Sequence, residues 1–112
     1  AAAHGGTARL VYTRRYPPLV NAAAQTALVL KAAEATVGAE HVDGDCPPLP
    51  FSEDFSFMLE KVPGAYVAIG NGDGTDAHFV HTPEYDFNDA VIPFGVAYWL
   101  NVVALELGGA DD

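Results

Sequence analysis

Basic residues are scarce in this 112-residue chain. Five Lys and Arg stand against 15 Asp and Glu, which gives a formal net charge of −10, and no basic residue other than histidine follows Lys61. A chain this acidic repels a phosphate backbone, so we expect no nucleic-acid partner.

Cysteine is almost absent, because Cys46 stands alone. A single cysteine excludes an internal disulfide and favours a reducing compartment, so a cytoplasmic location is expected. Cys46 precedes two prolines and has no neighbouring histidine to activate it, which indicates an inert thiol.

A long uninterrupted apolar run is also missing. The longest candidate, residues 90–107, is interrupted by Pro93, Gly95 and Asn101, contains Glu106 and has no basic flanks. These features predict a buried helix and no membrane partner. The chain also begins with Ala1 and not with Met, so we expect a piece of a longer polypeptide.

What is present indicates an α/β fold. Half of the residues are hydrophobic, and the length suffices for one domain with a core of its own. Apolar patterning and capping residues alternate between strand and helix. The predicted strands are 8–16, 41–45 and 65–69. The predicted helices are 22–37 after an Asn21 cap, a second that runs from a Ser52 cap to about residue 61, and a last one that starts at 88 or 89 and ends at 108–109.

The last helix is apolar almost all round, and such a helix needs cover on nearly every side. The other predicted elements are too few to supply that cover. We therefore expect this chain to pack against more protein. One function compatible with this surface is a non-catalytic, acidic interaction module that binds a partner through its apolar C-terminal helix.

The glycine-rich stretch 70–76 is a candidate ligand loop. No Lys follows it and its spacing is not G-x-G-x-x-G, so it lacks the features of a phosphate cradle. Ile69 and Val80 stand where a calcium loop needs its first and last carboxylates. A tight turn with positive φ is the favoured interpretation, with a calcium- or phosphate-binding loop as the alternative.

Two histidines, His78 and His81, lie with several carboxylates in the segment before the last helix. Imidazole is a common metal ligand, but a zinc site needs three or four protein ligands and this chain offers at most two. Any metal site must therefore be completed from outside the chain; otherwise both histidines are solvated loop residues. Glu53 and Asp54 are adjacent at a predicted helix start, where local features indicate helix-start charge.

Four motifs follow one another along the chain, and their order and spacing are informative: Tyr16-Pro-Pro-Leu-Val-Asn21, Ser52-Glu-Asp-Phe55, Val62-Pro-Gly-Ala-Tyr66 leading to Ile69-Gly70, and His81-Thr-Pro-Glu-Tyr-Asp86-Phe-Asn-Asp89. Together they resemble the C-terminal part of the metal-dependent amidohydrolases. That family includes hippurate hydrolase, N-acyl-amino-acid amidohydrolases and plant indole-acetyl-amino-acid hydrolases. The resemblance covers nearly the whole chain, from about residue 8 to residue 107.

The resemblance implies the C-terminal segment of a two-domain metallohydrolase. Residues 1–16 would end an α+β lid and dimerisation domain, and residues 17–112 would form part of a catalytic domain with helices packed on a mainly parallel sheet. His81 matches the final metal ligand, with His78 as an alternative, and Glu53 is the catalytic candidate. Asp54, Gly70 and Asn71 are the candidates for the substrate cleft.

The same resemblance implies two divalent ions, Zn²⁺ or Mn²⁺, and hydrolysis of N-acyl amino acids or small peptides. It also implies a homodimer formed through the lid. The other metal ligands and the general-base glutamate of the family have no counterpart in this chain. We therefore expect the segment to be inactive without the remainder of its polypeptide.

Overall fold

Three α-helices and three short 3-10 helices form the regular structure of the part of the chain that the structure describes. The structure is a computed structural model, and it describes residues 1–72 and 78–108. The α-helices are α1, α2 and α3, and they span Ala23–Val37, Phe55–Leu59 and Ile92–Leu107. The 3-10 helices are Ala2–His4, Ala39–His41 and Asp89–Val91.

Helix α1 confirms the predicted alanine-rich helix to within one residue. Alanine has the highest helix propensity, and six of the 15 residues of α1 are alanine. The helix stops at Gly38, whose φ of 87° is open to glycine and costly for other residues, and whose N–H donates to the Glu34 carbonyl at 2.9 Å. The predicted Asn21 cap is wrong: Ala22 occupies the cap position, and no side chain caps this end.

Replacement of Gly38 by alanine should destabilise the protein by about 1–2 kcal/mol, because a Cβ at this positive φ is strained. The added Cβ would also lie 2.7 Å from the Glu40 carboxylate, which must then move. Gly108→Ala is the matched control, since Gly108 caps α3 at φ −78° with no atom within 4 Å of an added Cβ. Chemical denaturation should show a loss for G38A alone; equal stabilities would contradict this assignment.

Helices α1 and α3 pack against each other and bury Ala32 and Tyr98, which are 0% and 7% exposed. The Asn101 amide donates to the Thr36 hydroxyl at 2.9 Å, and that hydroxyl donates to the Ala32 carbonyl at 2.7 Å. Leu105 lies beside the first half of α1, so the two helices run in opposite directions. This helix pair is the main tertiary contact between regular elements in the described ranges.

The helical stretch that leads into α3 begins at Asp89, in agreement with the predicted start at residue 88 or 89, and directly follows Asn88. Its side-chain oxygen accepts a hydrogen bond from the Ala90 N–H at 3.1 Å and caps the 3-10 turn that leads into α3. Pro93 falls in the first turn, where its missing N–H costs nothing. The opposite face of α3 is uncovered, with Trp99 and Leu100 63% and 66% exposed, as expected for a helix that packs against more protein.

Helix α2 is shorter than predicted. It begins at Phe55 and ends at Leu59, so Glu53 and Asp54 precede it and Ser52 does not cap it. Ser56 is buried, and its hydroxyl donates to the Glu53 carbonyl at 2.6 Å. This bond, together with the Ser56 N–H to the same carbonyl, fixes the backbone at the helix entrance.

The predicted strands are not formed in the part of the chain that the structure describes, where no residue is assigned to a strand. A strand is completed by hydrogen bonds to a neighbour, and the segments 8–16, 41–45 and 65–69 find none that forms a ladder. Leu10 and Tyr12 are 86% and 75% exposed. The mainly parallel sheet and the division between residues 16 and 17 therefore stay predictions.

The described residues form little core of their own, although the chain length would allow one. The radius of gyration is 19.6 Å, whereas a compact domain of this length has about 13 Å. Ala32 and Tyr98 are the buried hydrophobic residues among those described. The apolar side chains of this chain therefore remain largely exposed, which fits a segment whose core is shared with further protein.

Two further features bear on location. The helical stretch Asp89–Leu107 has 19 residues and a mean hydropathy of 1.6, which is long and apolar enough to cross a membrane. The core helix of a soluble protein has the same length and composition, so the absence of a membrane partner stays a prediction. Cys46 is exposed and forms no disulfide, as predicted from its being alone.

Candidate functional site

The carboxylate of Glu53 is held at both of its oxygens. Oε2 accepts a hydrogen bond from the Tyr66 hydroxyl at 3.2 Å, and Oε1 accepts from the Phe55 N–H at 3.3 Å, at the entrance of α2. The Tyr66 ring packs against the Phe55 ring, with the centroids 5.7 Å apart. Glu53 therefore has a defined orientation although it lies near the surface.

Asp54 and Glu53 act on each other electrostatically. The adjacent carboxyl of Asp54 lowers the pKa of Glu53, and the Phe55 N–H and the Tyr66 hydroxyl lower it further. The proximity and the charge of Glu53 in turn raise the pKa of Asp54. Burial, followed by the Glu53 charge, raises the pKa of Tyr66. The pKa values of the two neighbouring acids are thus shifted in opposite directions.

This pairing differs from what the sequence predicts. Adjacent residues within a helix diverge, but α2 begins after both acids, so their carboxyls are free to meet. The interpretation of Glu53 and Asp54 as plain helix-start charge is therefore incomplete.

Asn21 fixes the segment that contains Tyr66. Its side-chain Oδ1 accepts from the Tyr66 N–H at 2.8 Å, and its Nδ2 donates to the Tyr66 carbonyl at 3.0 Å. The Ala22 N–H donates to the Gly64 carbonyl at 2.9 Å. These three bonds join the start of α1 to residues 64–66.

Gly64 lets this segment approach α2 closely. A Cβ at Gly64 would lie 3.0 Å from a Leu59 methyl and 3.6 Å from the Phe55 ring. A larger residue would push the segment outward and move Tyr66 away from Glu53.

A second asparagine, Asn71, closes the loop that contains His81. Its Nδ2 donates to the Asp86 carbonyl and its Oδ1 accepts from the Asn88 N–H, both at 2.8 Å. The Asn88 amide donates in return to the Asn71 carbonyl at 3.3 Å. We call this set the Asn71–Asn88 clamp. The amide of Asn71, predicted to line a substrate cleft, is thus engaged in holding the chain.

The glycines beside the clamp differ in role. Gly72 has a positive φ of 113°, which agrees with one requirement of the predicted glycine turn; residues 73–76 of that turn lie outside the described residues. Gly70 does not have a positive φ, and an added Cβ there would meet no atom within 4 Å. Its backbone geometry does not require glycine. Gly74, the third glycine of the predicted loop, lies outside the described residues.

Among the described residues, His81 is the one residue other than glycine that has a positive φ, which is 69°. The Thr82 hydroxyl and N–H both donate to the Phe79 carbonyl, at 2.8 and 3.3 Å, and the Tyr85 N–H donates to the Thr82 carbonyl. These bonds hold a turn around an uncommon conformation. Strained residues cluster at functional sites, so this outlier supports the prediction that His81 is a functional residue.

The described residues do not assemble a metal site by themselves. Within residues 1–72 and 78–108, no three His, Cys, Asp or Glu side chains gather closely enough to hold an ion. His78 and His81 are both exposed, and neither ring has a hydrogen-bond partner among the described side chains. An exposed imidazole with no competing partner suits one ligand of a site completed elsewhere, as the sequence predicted.

Two positioning contacts are not readable from the sequence pattern. The pattern predicts a helix cap at Asn21 and no role for Tyr66, although both lie in the motifs quoted above. Asn21 and Tyr66 are 45 residues apart along the chain, a separation at which local propensity contains no information. Their places in the quoted motifs are the one available signal.

Comparison with known proteins assigns the class. The model of Peptidase family M20/M25/M40 matches residues 6–105, which is most of the chain. The chain therefore belongs to this family. Enzymes of this family are generally metal-dependent.

Individual relatives agree in part. The chain is 35% identical to the putative glutamate–cysteine ligase 2-3 of Rhodococcus jostii over 98 residues, 87% of this chain and 12% of that protein. It is 30% identical to the putative amidohydrolase YhaA of Bacillus subtilis over 77% of this chain and 22% of that protein. It is 37% identical to the IAA-amino acid hydrolase ILR1-like 2 of Arabidopsis thaliana over 47% of this chain and 12% of that protein.

The chain thus spans between about an eighth and a fifth of the length of these relatives. The ligase name belongs to a protein of which this chain aligns with only 12%, so that name does not describe the matched segment in particular. No solved structure matches the chain significantly.

Proposed function

We propose that this chain is part of a metal-dependent amidohydrolase that cleaves the amide bond of N-acyl amino acids or small peptides. The observation that supports this most strongly is the family match over residues 6–105. Two relatives bear the names of an IAA-amino acid hydrolase and an N-acetyldiaminopimelate deacetylase. Both names describe hydrolysis of an amide formed between an acyl group and an amino acid.

His81 is proposed to supply one imidazole ligand to a site with two divalent ions, Zn²⁺ or Mn²⁺. When bound, such ions polarise a carbonyl and lower the pKa of a water molecule. The turn at 79–85 presents the His81 ring to solvent, and the Asn71–Asn88 clamp fixes both ends of the surrounding loop. The remaining ligands are proposed to come from other parts of the polypeptide. His78 is the alternative ligand.

Glu53 is proposed to face the substrate cleft as an ionised carboxylate. Its lowered pKa favours the ionised form. In this state it accepts a hydrogen bond from the substrate. Gly70, with free space around it, borders the same cleft in this proposal.

The remaining architecture belongs to the same proposal. The exposed face of α3 is covered by the rest of an α/β catalytic domain with a mainly parallel sheet, and residues 1–16 close a lid domain through which a homodimer forms. The largely uncovered apolar side chains of α3 support this, because a water-exposed helix of this composition is unfavourable. A cytoplasmic location is proposed on the single exposed cysteine.

The test is an assay of the full-length polypeptide against a panel of N-acyl amino acids, with release of the free amine measured in the presence of Zn²⁺ or Mn²⁺. Hydrolysis of at least one such amide is expected, and the 112-residue chain alone should be inactive. Absence of hydrolysis across N-acyl amino acids and dipeptides, in a folded and metal-loaded protein, would refute the proposal.

The exposed face of α3 also allows the second candidate, a non-catalytic module that binds a partner. That candidate predicts that the 112-residue chain unfolds cooperatively and stays monodisperse on its own. Aggregation or non-cooperative unfolding of the isolated chain would exclude it and agree with a segment of a larger domain.

A further inference from the structure

We propose that Tyr66 is a positioning residue for Glu53 and that Asn21 in turn positions Tyr66. The Tyr66 hydroxyl fixes the Glu53 carboxylate, and the Asn21 amide fixes the backbone from which that hydroxyl extends. The inference rests on the proposed function only in so far as Glu53 belongs to the active site.

The number of constraints on Tyr66 is the first reason for this assignment. Its N–H and its carbonyl both form hydrogen bonds with the Asn21 side-chain amide, at 2.8 and 3.0 Å. A residue paired with a neighbouring strand forms the same two kinds of bond. Its ring lies against Phe55, and its hydroxyl reaches Glu53 at 3.2 Å. The backbone, the ring and the hydroxyl are therefore each held by a different residue.

The exposure of Tyr66 is the second reason, because this tyrosine is not a core residue. It is 38% exposed, so burial of its ring does not by itself explain so many contacts. A phenylalanine would keep the ring contact with Phe55 and lose only the bond to Glu53. The hydroxyl is thus a separable feature whose one partner in the described residues is a carboxylate.

The orientation of Glu53 depends on this hydroxyl. A carboxylate near the surface rotates freely unless both oxygens are held, and here Oε1 is held by the Phe55 N–H and Oε2 by Tyr66. Removal of the hydroxyl leaves a single bond at 3.3 Å to the start of α2. The carboxylate then loses its fixed direction, and orientation to within a small angle is what a reacting or binding group requires.

The groups that influence the Glu53 charge in the described part of the chain are Asp54, the Phe55 N–H and Tyr66. Glu53 has a lowered pKa in the folded state, so its stabilising contacts are present above the ordinary glutamate pKa and are lost as the pH falls through the folded value. Loss of the Tyr66 hydroxyl removes one of these contacts. The pKa of Glu53 should therefore rise towards its ordinary value.

The experiment compares Tyr66→Phe with Tyr12→Phe in the full-length polypeptide. Tyr12 is 75% exposed and its hydroxyl has no partner among the described residues, so this variant controls for loss of a tyrosine hydroxyl as such. The carboxyl resonance of Glu53 is followed by NMR as a function of pH, with Glu53→Gln used to assign the signal. In parallel, kcat/KM is measured on the most rapidly hydrolysed N-acyl amino acid.

For Y66F we expect a higher titration midpoint of Glu53 and about a 10-fold fall in kcat/KM, the effect of losing one hydrogen bond to a charged group. The thermal stability should change little, and Y12F should resemble the unchanged protein. An unchanged Glu53 midpoint in Y66F would overturn the inference, even if activity fell.

The variant Asn21→Ala tests the other half of the proposal. It should shift the Glu53 midpoint in the same direction as Y66F, and the double variant should shift it no further than Y66F alone. Additive shifts would show that Asn21 and Tyr66 act independently and would overturn this half. Because the titration is read without substrate, it decides the positioning role even if the protein hydrolyses no amide.

Discussion

His81→Ala in the full-length polypeptide should remove about one bound metal ion and lower kcat/KM by more than ~100-fold. Loss of a residue that only orients a ligand typically costs about 10- to 100-fold, so loss of the ligand itself should cost more. Metal content is measured by elemental analysis of the dialysed protein, and activity by release of the free amine.

Two further variants separate the ligand from the backbone. His81 has a φ of 69°, which glycine adopts without strain and asparagine tolerates better than alanine does. His81→Gly and His81→Asn should therefore be more stable than His81→Ala while all three lose the metal ion and the activity. If the activities of the three variants instead rank in the same order as their stabilities, the role of His81 is purely structural.

The control for this series is His41→Ala. His41 is exposed at the surface and lies 3.9 Å from the Glu40 carboxylate, outside the four family motifs. It should retain both the metal content and the activity. Full activity and full metal occupancy in His81→Ala would rule out His81 as a ligand.

Asn71→Ala should lower the free energy of unfolding by about 1–3 kcal/mol and weaken metal binding by about 10-fold. The side chain makes two hydrogen bonds at 2.8 Å, and its loss leaves the Asp86 carbonyl and the Asn88 N–H without their partner. The loop that contains His81 is then no longer fixed at its base, so the ring is presented in many orientations. Chemical denaturation and competition with a metal-binding dye measure the two effects.

Asn101→Ala is the matched control, since it removes one asparagine hydrogen bond of 2.9 Å at the contact between α1 and α3. It should reduce stability without changing metal affinity. If Asn71 instead contacts substrate, as the sequence predicted, Asn71→Ala will raise KM and leave stability and metal affinity unchanged. The two interpretations of Asn71 thus make opposite predictions for the same variant.

Local chemistry accounts for the parts of the structure that the sequence predicted well. Helix α1 ends at Gly38 because that position has a positive φ, and the 3-10 turn that leads into α3 starts after Asn88 because its side chain accepts a backbone N–H. Both signals act within four residues, so they are readable from the sequence. The order of the motifs along the chain likewise indicates the class of enzyme, and the family match confirms it.

The strands show where local patterns stop being informative. Residues 8–16 and 65–69 have the alternation or the apolar character of strands, yet neither is paired in the described structure. A strand depends on a neighbour that supplies hydrogen bonds, and no pattern within the segment provides one. The same dependence explains why a chain rich in apolar residues leaves Trp99 and Leu100 exposed.

The sequence by itself determined the family, the two long helices and the candidacy of His81 and Glu53, because short motifs and local capping encode them. Only the tertiary structure decided what the polar side chains between the helices do. Asn21 and Tyr66 meet across 45 residues, Tyr66 and Glu53 across 13, and Asn71 and Asn88 across 17. Hydrogen bonds of this range depend on how the elements pack, and that packing is set by the whole chain rather than by any segment within it.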